Sequence, residues 1–354
     1  MKLLSVVGAR PQFIKLAPLS SHLEKDPELE HLVCHTGQHY DAGLSKNLFT
    51  QLNLPAPDFQ FELTAASPLG KVQEMLSQLS SLIHLQEPDW LLVYGDTYST
   101  LAGALSAQLH GVNLAHIEAG LRSYRKDMPE EFNRITSDAA SQLLFCGSRG
   151  AMENLQIEKN PGQLHYTGDL MYQSQQLALQ ARPKWPEGFQ FPEESHYCLV
   201  TIHRRENLTE QRINQWCALL NSLAEDHHLL FPMHPATRKA LDGRSLNPKI
   251  QILEPLGYVE ICHLLQGADI LLTDSGGLQK EAYYLRRPCI TLRAETEWTE
   301  LVEEGVNRVT GLEETLVREA VEYFQNNSLH FDQALYSDVD SAAVISRGLK
   351  NYPL

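Results

Sequence analysis

The chain reads as α/β, built from two doubly wound, Rossmann-like parallel-sheet domains. Three observations predict this. Short apolar runs alternate with helix-length amphipathic stretches along nearly the whole chain, the mark of βα repetition. A stretch rich in Pro and Gly at 181–192 breaks the rhythm once, after which it restarts. Polar and charged residues gather directly behind the apolar runs, where open α/β sheets place their ligands.

In order along the first half, strands are expected at 2–7, 30–35, 90–94, 112–117, 142–145 and 164–166. Helices are expected near 12–24, 69–85, 99–109, 130–140 and 149–156. In the second half the strands are 197–202, 229–233, 250–253, 270–272 and 289–292, with helices between them. A last amphipathic stretch, 341–350, reads as a helix returning to the first domain. The expected division is therefore 1–168, 169–338 and a C-terminal helix within 339–354.

Composition narrows the function classes. With 43% hydrophobic and 21% charged residues over 354 positions, the chain has ample core for two domains. A net charge of −15 argues against nucleic acid or an anionic membrane surface as partner. No apolar run approaches the ~18 residues of a membrane helix. The run Leu3–Ala9 is a first strand and not a leader, because Arg10-Pro11 ends it. Six scattered cysteines without a C-x-x-C pair favour a reduced, mostly buried, cytosolic set over disulfides or a metal site.

The candidate site residues follow the strands. Thr273-Asp274-Ser275-Gly276-Gly277 links an apolar run to a helix start. Such a turn lets backbone approach a phosphate and aims free N–H groups at it, and Glu281, about one turn on, faces sugar hydroxyls. Ser275 reads equally well as an ordinary N-cap, although Leu278 leaves the capping-box position without Glu or Gln. Gly8-Ala9-Arg10-Pro11 with Lys15 lacks G-x-G-x-x-G, so no dinucleotide fingerprint is present. Asp96 follows one strand and Glu118 the next. Glu130 and Glu131 open a helix, where acids commonly complement the dipole. Together these carboxylates make an acid/base set. His203 beside Arg204 and Arg205 suits a diphosphate leaving group, and His234 repeats the theme one strand on. No H-E-x-x-H metal spacing and no G-x-S-x-G elbow occurs.

Taken together, these motifs resemble the non-hydrolysing UDP-N-acetylglucosamine 2-epimerases. The matching stretches are Gly8-x-Arg10-Pro11 with Lys15, Gly95-Asp96-Thr97, His116-Ile117-Glu118-Ala119-Gly120-Leu121-Arg122, Pro129-Glu130-Glu131-x-Asn133-Arg134, His203-Arg204-x-Glu206 and Asp274-Ser275-Gly276-Gly277-x-Gln279-x-Glu281-Ala282. Six motifs in order, over nearly the whole chain, are far more specific than any one. The resemblance implies a GT-B-like fold, with two Rossmann-like domains facing a cleft and a C-terminal helix crossing back. It also implies a homodimer and no cofactor. The implied reaction eliminates UDP to leave a 2-acetamidoglucal, then re-adds UDP with C2 protonated on the opposite face. Asp96, Glu118 and Glu130 become the acid/base candidates, with His203 near the departing diphosphate. Arg10, Lys15, Ser275 and Gly276 hold phosphates, and Glu281 holds the ribose.

Two departures qualify the match. Family members activated by a second UDP-sugar carry Gln-His-Arg-Glu-Met in an early loop, which here reads His35-Thr36-Gly37-Gln38-His39-Tyr40-Asp41-Ala42. The family's usual Glu-Arg-Pro-Glu is Glu297-Trp298-Thr299-Glu300, closer to the branch acting on UDP-2,3-diacetamido-2,3-dideoxyglucuronic acid. The UDP-GlcNAc/UDP-ManNAc pair is the default expectation and the diacetamido uronic acid its main rival. A hydrolysing epimerase and a GT-B glycosyltransferase stand behind them.

Overall fold

The computed structural model describes residues 1–38, 49–52, 54–191, 196–331, 335–336 and 339–353. Residues 39–42 of the early loop lie outside them. Among the described residues the chain forms two compact units, Met1–Leu177 with Gln333–Leu354, and Ala178–Asp332. The division falls within helix Leu170–Gln180, later than the 168/169 boundary read from sequence. The start of that helix belongs to the first unit. Ser174 Oγ donates to the carbonyl of Ile14 at 2.7 Å, and Asp169 N donates to that of Tyr336 at 2.9 Å.

The first unit is a seven-stranded parallel sheet. Its strands are β1 (Lys2–Val7), β2 (Glu30–His35), β3 (Phe59–Gln60), β4 (Trp90–Tyr94), β5 (Asn113–Ile117), β6 (Leu143–Cys146) and β7 (Gln163–Tyr166). Their spatial order is β3-β2-β1-β4-β5-β6-β7. All five residues of β4 are buried, as expected where helices cover both faces of a parallel sheet. Leu4, Val6, Leu91 and Val93 pack against Met75, Leu79, Ala102 and Ala107 from helices Pro68–Gln86 and Tyr98–His110. Local chemistry sets the helix ends. Ser67 caps the first of these helices by accepting from Gly70 N, and Thr97 caps the second by accepting from Thr100 N.

The second unit is a six-stranded parallel sheet of β8 (Cys198–Thr201), β9 (Leu229–Pro232), β10 (Ile250–Leu253), β11 (Ile270–Thr273), β12 (Cys289–Thr291) and β13 (Asn307–Val309). The order is β10-β9-β8-β11-β12-β13. Val200, Leu272, Ile290, Trp216 and Phe231 form its main core. Two short edge strands, β3 and β13, were not anticipated from sequence. The C-terminal helix Ser341–Asn351 lies on the first unit. Tyr352 meets Trp90 edge-on at 5.1 Å, and Lys350 pairs with Asp26 and Glu28, each at 2.8 Å.

Each sheet reverses its winding direction once, between β1 and β4 in the first unit and between β8 and β11 in the second. Ligands of open α/β sheets bind outside the carboxyl ends of strands at such a switch point. In the first unit that point carries Gly8–Lys15 and Gly95-Asp96. In the second it carries His203-Arg204 and Asp274–Gly277. No helix among the described residues is long and apolar enough to cross a membrane.

Candidate active site

In the first unit, Gln12 joins the ends of β1 and β4. Its Oε1 accepts from Gly8 N at 2.7 Å and Ala9 N at 3.0 Å, while Nε2 donates to the carbonyl of Tyr94 at 2.7 Å and the hydroxyls of Thr97 and Thr100. Gly8 has no room for a side chain, since a Cβ there would lie 2.1 Å from the Thr36 hydroxyl. One turn further along helix Arg10–Leu23, Lys15 is buried and forms an ion pair with Glu118. Arg10, at the first turn, is exposed. Of the two cations read as phosphate holders, one therefore sits among carboxylates and only the other faces solvent.

Glu118 follows β5 with φ +69°, a left-handed backbone rare for a side chain of its size. Such conformations cost on the order of 1–3 kcal/mol and persist where surroundings dictate them. Here Glu118 N and Ala119 N both donate to the carbonyl of Phe145, at 3.0 and 3.1 Å. Gly95 stands opposite at φ +61°, and a Cβ on it would come 3.0 Å from Glu118 Oε2. Next along, Asp96 Oδ2 accepts from Arg134 at 2.6 Å. Arg134 also pairs with Glu131 at 3.0 Å, and Asn133 Nδ2 donates to the Asp96 carbonyl at 2.8 Å.

These surroundings push the two ends of the cluster in defined directions. Burial raises the Asp96 carboxyl above its usual range, and the nearby Glu118 charge adds to this, against Arg134 and Lys15. For Lys15, burial opposes the charged form, but the carboxylates of Glu118, Asp169 and Asp96 outweigh it and raise the ammonium above 10.5. Lys15 is thus a fixed cation at neutral pH, and Asp96 takes up a proton more readily than an ordinary aspartate. Two carboxylates side by side, both ion-paired and one with raised proton affinity, are the arrangement from which an acid and a base are made.

The helix Pro129–Ala140 separates its two leading acids. Glu131 is buried and accepts from Ser123 N, Tyr124 N and Arg134, so it braces the loop before the helix. Glu130 is exposed and takes no part in this network.

In the second unit Asp274, fully buried behind β11, is the organising residue. It accepts from His203 N, Arg204 N at 2.9 Å and Asn207 Nδ2 at 3.0 Å, which fixes the loop after β8. Ser275 occupies the N-cap position of helix Gly276–Tyr284 but makes no side-chain cap bond. Its hydroxyl does not compete for the helix's leading N–H groups, which suits an anion site. Trp298 Nε1 donates to the carbonyl of Gly276 at 2.8 Å and Lys280 lies 4.1 Å over the Trp298 ring. Gly276 is close-set, its Cβ position 3.5 Å from both Arg204 Nη2 and Glu297 Oε2, and the Gly277 Cβ position is 3.9 Å from Glu281 Oε1. Glu281 is buried. His234 caps helix Pro235–Leu241 through Nδ1, which accepts from Ala236 N, and its ring lies 6.1 Å from that of His203.

Within each unit, then, several of the expected residues lie at the carboxyl ends of the strands, whereas Arg10 and Glu130 are exposed. Gln12 and Asp274 are supporting residues that sequence reasoning did not assign. Among the described residues no three His, Cys, Asp or Glu side chains form a metal-holding group. All six cysteines are buried and none stands in a disulfide.

Comparison with known proteins agrees with this arrangement. Residues 21–350 match the family model described as UDP-N-acetylglucosamine 2-epimerase. The chain is 38% identical over 354 residues to the UDP-2,3-diacetamido-2,3-dideoxy-D-glucuronate 2-epimerase of Pseudomonas aeruginosa, covering 99% of both chains. Its fold is similar to the crystal structure of the Methanocaldococcus jannaschii UDP-GlcNAc 2-epimerase in complex with UDP-GlcNAc and UDP (TM-score 0.86, 33% identity, 99% and 100% of the two chains). It is likewise similar to the Neisseria meningitidis UDP-GlcNAc 2-epimerase bound to UDP-GlcNAc (TM-score 0.89, 28% identity, 99% and 100% covered). With two parallel-sheet units matched at full length, the fold is GT-B-like, and the chain belongs to the UDP-N-acetylglucosamine 2-epimerase family.

Proposed function

We propose that the protein is a non-hydrolysing nucleotide-sugar 2-epimerase that interconverts UDP-GlcNAc and UDP-ManNAc. The observation that carries this reading is the paired carboxylate arrangement at the ends of β4 and β5, with Lys15 on Glu118 and Arg134 on Asp96. A carboxylate removes the C2 proton as the bond from C1 to the UDP oxygen breaks, leaving a 2-acetamidoglucal and UDP. UDP then adds back to C1 while a protonated carboxyl delivers hydrogen to the other face of C2. Glu118 serves as proton acceptor and Asp96, with its raised proton affinity, as donor, and the roles exchange in the reverse direction. Glu130 is the remaining acid/base candidate. Arg10, Arg204, Ser275, Gly276 and Gly277 hold phosphates, His203 and His234 lie by the departing diphosphate, and Glu281 takes the ribose. We place the enzyme in the cytosol as a homodimer, and six buried cysteines outside any disulfide support a reducing compartment.

A second reading has its own support. The diacetamido-glucuronate epimerase of Pseudomonas aeruginosa matches end to end, and Trp298 stands where the family has Arg. The same chemistry would then act on a sugar with a C3 acetamido group and a C6 carboxylate.

One experiment tests both. Purified protein is incubated in deuterium oxide with each UDP-sugar, and C2 deuteration is followed by proton NMR. Exchange with UDP-GlcNAc is expected. Exchange with the diacetamido uronate alone selects the second reading, and exchange with neither overturns the epimerase assignment.

A further inference from the structure

Behind the acids lies a chain of four ionisable side chains that the reaction does not use directly, three of them with buried side chains and the last, Glu158, exposed. His116, next to last in β5, is fully buried. Its Nε2 lies 2.7 Å from the carbonyl oxygen of Gly95, and its Nδ1 lies 2.7 Å from Asp138 Oδ1. A carbonyl only accepts, so Nε2 carries a proton. Asp138 Oδ2 accepts from Arg122 Nη1 at 2.7 Å and from Gly120 N at 3.2 Å, as an ionised carboxylate does. With Asp138 ionised, Nδ1 carries a proton as well. Arg122 in turn makes a bidentate pair with Glu158, both bonds at 2.7 Å. Two cations and two anions alternate along the chain, so no buried charge is left without a counter-charge.

The positions of these bonds matter. The Gly95 carbonyl belongs to the turn that presents Asp96. Gly120 N lies two residues beyond Glu118, on the far side of its left-handed backbone. Asp138 thus grips one side of the Glu118 bend directly and the Asp96 turn through His116.

We propose that His116 is held as an imidazolium and, with Asp138, acts as a positioning residue that fixes the backbone carrying Asp96 and Glu118. The catalytic part of this inference rests on the epimerase reading above, whereas the charge state of His116 does not. A neutral ring has one proton and leaves either the Gly95 carbonyl or Asp138 without its donor. Displacing either acid by a fraction of an ångström lengthens its reach to C2, and misplacement near 1 Å costs about a hundredfold in rate.

The test begins with the wild-type protein. In a long-range proton–nitrogen correlation spectrum of 15N-histidine-labelled protein, one of the 15 histidines shows both ring nitrogens protonated at a pH where exposed histidines are neutral. The His116→Gln variant deletes that signal and so assigns it. A neutral-tautomer pattern for His116 overturns the proposal, whatever the variants do. In His116→Gln and Asp138→Asn, kcat for C2 exchange falls roughly tenfold to a hundredfold while KM and UDP affinity stay at wild-type values. A folded variant of either kind that retains full kcat refutes the positioning role. If wild-type protein shows no C2 exchange, the epimerase reading fails, and the spectrum still decides the imidazolium.

Discussion

At the carboxyl edge of the first sheet, charged side chains are tied mainly to one another. Lys15 holds Glu118, Arg134 holds Asp96 and Glu131, and Arg122 holds Asp138 and Glu158. At the equivalent edge of the second sheet, the central carboxylate is tied to backbone. Asp274 takes the N–H groups of His203 and Arg204, and Trp298 takes the Gly276 carbonyl. Side chains also take part there: Asn207 and the His203 ring meet Asp274, and Arg293 pairs with Glu206 and Glu297 at the rim. Side-chain networks tune proton affinities, while backbone networks set where N–H donors point. On the proposed reading, this difference suits the first unit to moving protons and the second to holding an anion.

The largest expected effect breaks this comparison by removing one carboxylate from each unit. Glu118→Gln lowers the C2 exchange rate by roughly 10²–10⁴-fold and leaves UDP affinity unchanged by calorimetry. Asp274→Asn does the opposite in kind. It weakens UDP binding about tenfold, the equivalent of one charged hydrogen bond of roughly 1.5 kcal/mol, because the His203-Arg204 loop loses its anchor. Equal losses of rate and affinity in both variants would erase the distinction between the units.

A middle-sized effect concerns Lys15. Its ammonium is raised above 10.5 in the folded protein, so its stabilising contribution is complete below the unfolded value and is lost only as pH rises through the higher folded one. Lys15→Met should melt roughly 2–4 °C below wild type at pH 7, equivalent to about 1 kcal/mol. In a pH series of thermal melts the gap closes only in the strongly alkaline range. A gap that closes near neutrality would mean that Lys15 is not a fixed cation.

The smallest effect sharpens the contrast at helix starts. Ser148 caps helix Arg149–Ile157 by accepting from Ala151 N at 3.2 Å, so Ser148→Ala costs about 1 kcal/mol in denaturant unfolding. Ser275 makes no such bond, and Ser275→Ala costs less than about 0.5 kcal/mol. A full capping loss at Ser275 would restore it to an ordinary cap.

Much of this was legible in the sequence, and for a stated reason. Strands such as β1 and β4 are buried on both faces and bounded by polar turns, so they read directly as short apolar runs. β3 and β13 hold two and three residues, too few for any period to show. The motif residues Asp96, Glu118, Ser275 and Gly276 fall at the ends of apolar runs, which marked them as candidates, and the family resemblance supplied their expected roles. What sequence could not carry is partnership across long separations. Gln12 bonds residues more than eighty positions away, and Asp274 bonds a loop about seventy positions before it. The left-handed backbone at Glu118 is dictated by Phe145 on the neighbouring strand, not by its own residue type. Glu130 and Glu131 look alike in sequence, and only the helix's packing separates the brace from the exposed acid.

The helix Ser341–Asn351 belongs to the unit that the chain begins with. Ribosomal synthesis therefore delivers this piece only after all of Ala178–Asp332 has emerged. Until then Trp90 lacks Tyr352 against it, and Asp26 and Glu28 lack Lys350. The first unit is consequently completed only after the second has been synthesised, and until then its Trp90 flank lacks this cover.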